Sequence, residues 1–221
     1  MTLVIATTVE LALVTTVLLL LLATPLAWWL ARSRSAWKEV AGALSALPLV
    51  LPPTVIGFYV LVALGPASPL MALLRPFGVT SLAFTFTGLV IGSIFYSLPF
   101  AVQPLRTAFE GVGVPPLDLA ATMGRGSLDR FATVALPLAR RGFVSAGILV
   151  FAHTVGEFGV VLMIGGAIPG RTEVLSTRIY SLVESLQFGA AHVIAGGLTA
   201  FAFVTLLGLL LVERRLGGVR P

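Results

Sequence analysis

Long segments without charge constrain this chain more than any other feature. Residues 11–31, 40–74, 76–105 and 193–212 contain no Asp, Glu, Lys or Arg. Each window reaches the roughly 20 apolar residues that a helix needs to cross the hydrocarbon of a bilayer. A fifth window, 142–166, is long enough but carries His153 and Glu157. In hydrocarbon only helices and closed barrels satisfy their own backbone. Barrel strands alternate apolar and polar residues, whereas these windows run apolar throughout, so the spans are helical. A composition of 57 % hydrophobic and 10 % charged residues, against about 25 % charged in ordinary soluble domains, excludes a soluble fold.

The expectation is therefore an all-α integral membrane protein, a single transmembrane domain over residues 1–221 with five spans. The spans are placed at 8–31, 41–64, 82–104, 142–164 and 192–212, with a long loop at 105–141. The first window has no basic segment before it, and its apolar run exceeds the usual signal-peptide core of about 7–15 residues. It ends in Trp28 and Trp29, whose amphipathic rings favour the membrane interface. It is expected to be a retained span.

The absence of cysteine excludes disulfides and thiolate metal sites within the chain, and no metal site is expected. The net charge of +5 reflects loop bias rather than nucleic-acid binding, because Lys and Arg accumulate in cytoplasmic loops. With the N-terminus outside, the cytoplasmic side carries Arg32, Arg34, Lys38, Arg106, Arg125, Arg130, Arg140, Arg141, Arg214, Arg215 and Arg220. Only Arg75, Arg171 and Arg178 then fall outside. The expected orientation is N-terminus out, C-terminus in.

The long loop contains "DLAATMGRGSLDRFATVALP", residues 118–137, a polar and basic block in a greasy chain. Pro115 and Pro116 suit the first positions of a helix, and Asp118 in its first turn complements the helix dipole. Leu119 and Met123 share a face. Gly124 and Gly126 interrupt the helix, and Leu128, Phe131, Val134 and Leu138 follow at helical spacing up to Pro137 and beyond. Such a pair of short helices suits a groove on a partner protein or a membrane surface.

The same block resembles the coupling motif of ABC-importer permeases: E-A-A-x-x-x-G, nine residues, an aliphatic residue, any residue, then Leu-Pro. Asp118 takes the Glu position, Leu119 and Ala120 the Ala positions, and Gly124 the Gly position. Val134 is the aliphatic residue, and Leu136 with Pro137 closes the pattern. Asp for Glu and Leu for Ala are departures that leave the register intact. The resemblance implies a type I ABC-importer permease fold in the inner (plasma) membrane of a prokaryote. It also implies that Asp118, Leu119, Ala120, Met123, Gly124, Phe131, Val134, Leu136 and Pro137 contact an ATPase. No G-x-x-x-x-G-K-[ST] pattern occurs in the chain, so ATP and Mg are expected on separate ATP-binding cassette subunits. No cofactor and no catalytic residue are expected here.

The second span opens "LPLVLPPTVIGFYVLVALG", residues 47–65. Pro48, Pro52 and Pro53 cannot donate backbone hydrogen bonds. Either the helix kinks with every group satisfied by packing, or it breaks near Pro52. A break would open the N–H groups of Thr54, Val55 and Ile56 as a half-helix terminus suited to an anion. This stretch and "HTVGEFGVVLMIGGAIPGRT", residues 153–172, resemble the molybdate permeases, within the group that carries molybdate, tungstate and sulfate. The resemblance implies a homodimer, a delivering extracytoplasmic binding protein and an oxyanion substrate, molybdate or tungstate, with sulfate as the alternative.

Pro52, Pro53, Thr54 and Glu157 are the candidate pathway residues. A carboxylate within a span costs about 2.5–3.5 kcal/mol on insertion scales and repels a dianion, so Glu157 is expected to serve structure or gating, with His153 as its nearest partner. A His153–Glu157 catalytic pair, which would make the chain a membrane-embedded enzyme, lacks a third ligand or a nucleophile. A passive anion channel is the remaining rival. Arg171, in the loop after the fourth span, either steers an anion or binding protein or is simply solvated.

Overall fold

The computed structural model describes residues 1–216, and all regular structure among them is helical. Arg220, and the side chain of Arg215, lie outside what is described. Two long pillars, α1 (Thr2–Arg32) and α5 (Phe86–Val112), frame the chain. Between them come α2 (Trp37–Ala46), a 3₁₀ turn (Leu47–Leu49), α3 (Pro53–Leu64), α4 (Pro69–Leu74) and a second 3₁₀ turn (Arg75–Phe77). After α5 follow α6 (Pro115–Thr122), α7 (Ser127–Arg130), a π-helical turn (Phe131–Ala135) and α8 (Leu136–Leu138). The chain continues through α9 (Arg140–Gly156), α10 (Gly159–Gly165), α11 (Leu175–Glu184) and α12 (Phe188–Leu216).

Helices α1, α5 and α9 form the core. Leu19, Ala23, Ala27 and Leu30 of α1 meet Ala101, Leu105 and Phe109 of α5 and Ala146 and Val150 of α9, all buried. Lipid tails are as apolar as these side chains, so helix association in a bilayer depends on close packing and favours small residues. At Gly142 a Cβ would stand 2.3 Å from Ala108 Cβ and 2.9 Å from Pro104 O. Three hydroxyls of α1 are turned back on their own helix: Thr8, Thr16 and Thr24 donate to the carbonyls of Val4, Ala12 and Leu20. That satisfies them where no water is available.

Among the described residues, four stretches are long and apolar enough to cross a membrane: Thr2–Arg32, Pro53–Phe77, Phe86–Val112 and Phe188–Val212. A fifth is counted if Ser127–Leu138 and Arg140–Gly156, bent by 68°, form one span. Two of the spans placed from sequence are not continuous helices. The 41–64 segment breaks after its 3₁₀ turn, where Pro52 is extended (φ −55, ψ 137) and α3 restarts. The 142–164 segment breaks at Glu157 (φ −67, ψ 130), with α10 restarting at Gly159. Prolines cause the first break. At the second, Gly156 and Gly159 flank the break, and glycine carries the weakest helix preference short of proline. Helix α5 runs on to Val112, so the loop at 105–141 begins inside a helix.

Two hydrogen bonds define the ends of the bundle. Arg32 Nη1 donates to Gly113 O at 3.1 Å, joining the C-terminal ends of α1 and α5. At the other end Leu175 N donates to Thr8 Oγ1 at 2.9 Å, tying α11 to the start of α1. The polar block α6–α8 and the α11 loop therefore sit at opposite ends.

Candidate functional site

The polar block is built as a helix, a glycine turn and a second helix. Helix α6 begins with Pro115 and Pro116. It closes with paired bonds: Gly124 N donates to Ala121 O at 2.9 Å and Arg125 N to Ala120 O at 3.1 Å. This six-to-one and five-to-two pairing needs a left-handed residue after the cap, and Gly124 supplies it with φ +81. Beyond the turn, Arg125 Nη1 reaches Thr133 Oγ1 at 2.7 Å, and Thr133 Oγ1 donates to Asp129 O at 2.7 Å. In the π turn Leu136 N bonds to Phe131 O. That wider register falls just before Pro137, whose ring crowds the carbonyl of Thr133 in an α-helix.

The nine residues assigned to the block divide between two surfaces. Ala120 is buried, and beside the nine Leu117 is buried in the core cluster of the bundle. Phe131, Val134 and Leu136 pack on the same core, with the Phe131 ring 5.1 Å from that of Trp28 and edge-on to it. Asp118, Gly124 and Pro137 are exposed. Leu119 and Met123 stand out, 66 % and 71 % exposed. Leu128, at 83 %, joins them as an apolar projection that the motif does not single out. Its helical spacing was the available signal.

The second site lies where the two broken spans meet. Pro53 and Thr54 of α3 line a cavity of about 500 Å³ together with Tyr96 of α5, Ala152, His153 and Gly156 of α9, and Glu157, Phe158 and Gly159 at the α9–α10 break. Pro52 caps α3 from outside. Close approach of α3 and α10 makes the wall: a Cβ at Gly159 would stand 2.8 Å from Pro53 Cβ, and one at Gly57 2.8 Å from Met163 Cβ. Of the donors placed at the opening of α3, Val55 N and Ile56 N both turn back to Pro52 O, at 2.9 and 3.4 Å. Among the described residues, Thr54 N–H is left without a backbone acceptor.

Glu157 is only 3 % exposed. Neither carboxylate oxygen has a hydrogen-bond partner, and the Ser93 hydroxyl, which faces it from α5, has none in bonding geometry either. The backbone oxygen of Glu157 accepts from Ser176 Oγ of α11. His153 is not the partner of Glu157, contrary to the sequence expectation. Its Nδ1 lies 2.9 Å from Ser97 Oγ, and Ser97 Oγ lies 3.3 Å from Thr154 Oγ1. The imidazole stacks on Phe100 at 4.1 Å and meets Tyr96 at 4.9 Å. Ser93, Tyr96, Ser97 and Ser176 were not legible as site residues, because nothing local distinguishes them from ordinary helix positions. At the other end of the bundle from α6–α8, Arg171 is exposed. Arg178 reaches the buried Glu173 at 3.3 Å.

These features define a multi-span, all-α membrane protein with two broken spans around a cavity and a partly anchored polar block at one end. A family model described as "Binding-protein-dependent transport system inner membrane component" matches residues 23–217, and the chain belongs to this family. It is 54 % identical to "Molybdenum transport system permease protein ModB" of Azotobacter vinelandii, over 93 % of this chain and 91 % of that protein. It is 29 % identical to "Sulfate transport system permease protein CysT" of Salmonella typhimurium, over 87 % of this chain and 69 % of that one. The fold matches the crystal structure of a bacterial alginate ABC transporter in complex with a periplasmic protein, with a TM-score of 0.70. That match covers 99 % of this chain and 80 % of the other at 19 % identity, a likeness of fold.

Proposed function

We propose that this chain is the membrane permease subunit of an ABC importer that carries molybdate, or the similar tungstate, into the cytoplasm. The observation that carries the reading is the 54 % identity to a molybdenum permease over nearly the whole of both chains. The sulfate alternative has weaker support, at 29 % identity. In this reading the chain works as a homodimer with two ATP-binding cassette subunits, which hold ATP and Mg, and receives substrate from an extracytoplasmic binding protein. Leu119, Met123 and Leu128 enter a cleft on the ATPase, while Leu117 and Phe131, packed on the core of α1 and α5, transmit its movement to them. The block faces the cytoplasm, and Arg171 faces the opposite side. The cavity at Thr54 and the α9–α10 break belongs to the substrate path.

Proteoliposomes containing the chain, its ATPase and its binding protein test this. They should accumulate labelled molybdate only with ATP, with tungstate competing at similar concentration. Efficient sulfate uptake with indifference to molybdate would transfer the chain to the rival permease group. Flux without ATP would make it a channel.

A further inference from the structure

The cavity between the broken spans presents one side chain built to meet an anion, and it is not Glu157. The carboxylate oxygens of Glu157 are buried and lack hydrogen-bond partners, and a carboxylate repels an anion. One turn earlier on α9, His153 remains half-exposed on the cavity lining. Its ring is held on two sides by Phe100, stacked at 4.1 Å, and Tyr96, at 4.9 Å. Its Nδ1 is pinned by Ser97 Oγ at 2.9 Å. A surface histidine serving only solubility has no such enclosure.

One arrangement of protons along the hydroxyl chain behind the ring leaves no hydroxyl without an acceptor, and it assigns the ring proton. Ser97 Oγ lies within reach of His153 Nδ1 and Thr154 Oγ1. When Thr154 donates to Ser97 and Ser97 donates to Nδ1, each hydroxyl proton has an acceptor. The hydrogen bond made by one ring nitrogen sets the state of the other. Nε2 then bears hydrogen, and it has no hydrogen-bond partner among the described residues. The hydroxyls of Thr54 and Tyr96 belong to residues that line the same space, and Thr54 N–H lacks a backbone acceptor.

We infer that His153 is a specificity-determining residue of the pathway, presenting Nε2–H as a fixed hydrogen-bond donor to the oxyanion as it passes the two helix breaks. Ser97 acts as a positioning residue behind it. The inference rests on the import reading above and names the residue that would recognise the cargo. A donor of fixed direction suits a tetrahedral oxyanion, all of whose oxygens accept.

The experiment compares His153→Leu and His153→Gln in the reconstituted complex with ATPase and binding protein. Gln places an amide N–H near the position of Nε2, whereas Leu keeps bulk without a donor. Uptake of labelled molybdate should fall about tenfold or more in His153→Leu, the usual scale for losing a hydrogen bond to a charged group. His153→Gln should recover most of it, and Ser97→Ala should fall between them. ATPase co-purification and thermal stability should match the parent complex in all three. Normal uptake by His153→Leu overturns the inference, and so does a folded, assembled His153→Gln as inactive as the Leu variant. If His153→Leu fails to assemble, the comparison of Gln with the parent and with His153→Asn, whose shorter amide cannot reach the Nε2 position, decides instead. Equal uptake by Gln and Asn would then overturn it. If the parent complex carries sulfate and not molybdate, the molybdate assignment fails while import stands, and the same variants are scored on sulfate.

Discussion

Glycine serves opposite purposes in the polar block and in the wall between the two broken spans. In the block, Gly124 and Gly126 have nothing within 4 Å of where a Cβ would stand. Gly124 is needed for its dihedral, φ +81, which closes α6. At the wall, Gly57 and Gly159 have ordinary dihedrals, but a Cβ on either would lie 2.8 Å from Met163 Cβ or Pro53 Cβ. They are needed for space. One region uses glycine to turn a chain in water; the other uses it to press two helices together where packing is the main attraction available.

That difference fixes how each region fails. The largest effect is expected at the wall. Gly159→Val should cost about 1–3 kcal/mol through overpacking and close the cavity as well. The assembled complex should lose thermal stability in a melting assay and lose uptake altogether. A variant of parental stability would mean that α3 and α10 are not in close contact in the membrane.

In the block, a side-chain change should instead leave the bundle intact and act on a partner. Leu119→Asp puts a charge on a residue that touches little of its own chain. Truncating or charging a docking anchor can cost about 2 kcal/mol or more of association. Membrane insertion and melting should be unchanged while ATPase co-purification is lost. Phe131→Asp, which charges a side chain packed on Trp28 and Phe109, should lower stability itself. If Leu119→Asp still captures the ATPase, the block rests on the membrane surface and is not a docking element.

The smallest effect should come from Gly124→Ala. The space is open, so only the left-handed backbone is penalised, at roughly 1–2 kcal/mol. Insertion should be normal, and coupling, measured as molybdate carried per ATP hydrolysed, should drop modestly. An effect as large as that of Gly159→Val would show that the two glycines are not of different kinds.

Much of this was legible without coordinates. Charge-free windows of spanning length require helices, because hydrocarbon satisfies no backbone groups, and that condition is local enough to be read along the chain. The block was legible for the same reason: Pro115–Pro116, Leu119 with Met123, and Gly124 are signals within one or two turns. The break at Pro52 could be read as one of two outcomes, since a missing donor weakens a helix without saying whether packing will repair it.

Only the tertiary structure decided which outcome held, and what met what. It set Pro53 and Thr54 against the Glu157 break, more than a hundred residues away in sequence. It gave His153 to Ser97, Phe100 and Tyr96 instead of to Glu157. It also split the block, so that Phe131 anchors while Leu119 projects. Periodicity states which residues share a face of one helix, but a face has no identity until another helix covers it or leaves it bare. The sequence determined the helices and their membrane setting; the packing of α3, α5 and α9–α10 determined the site.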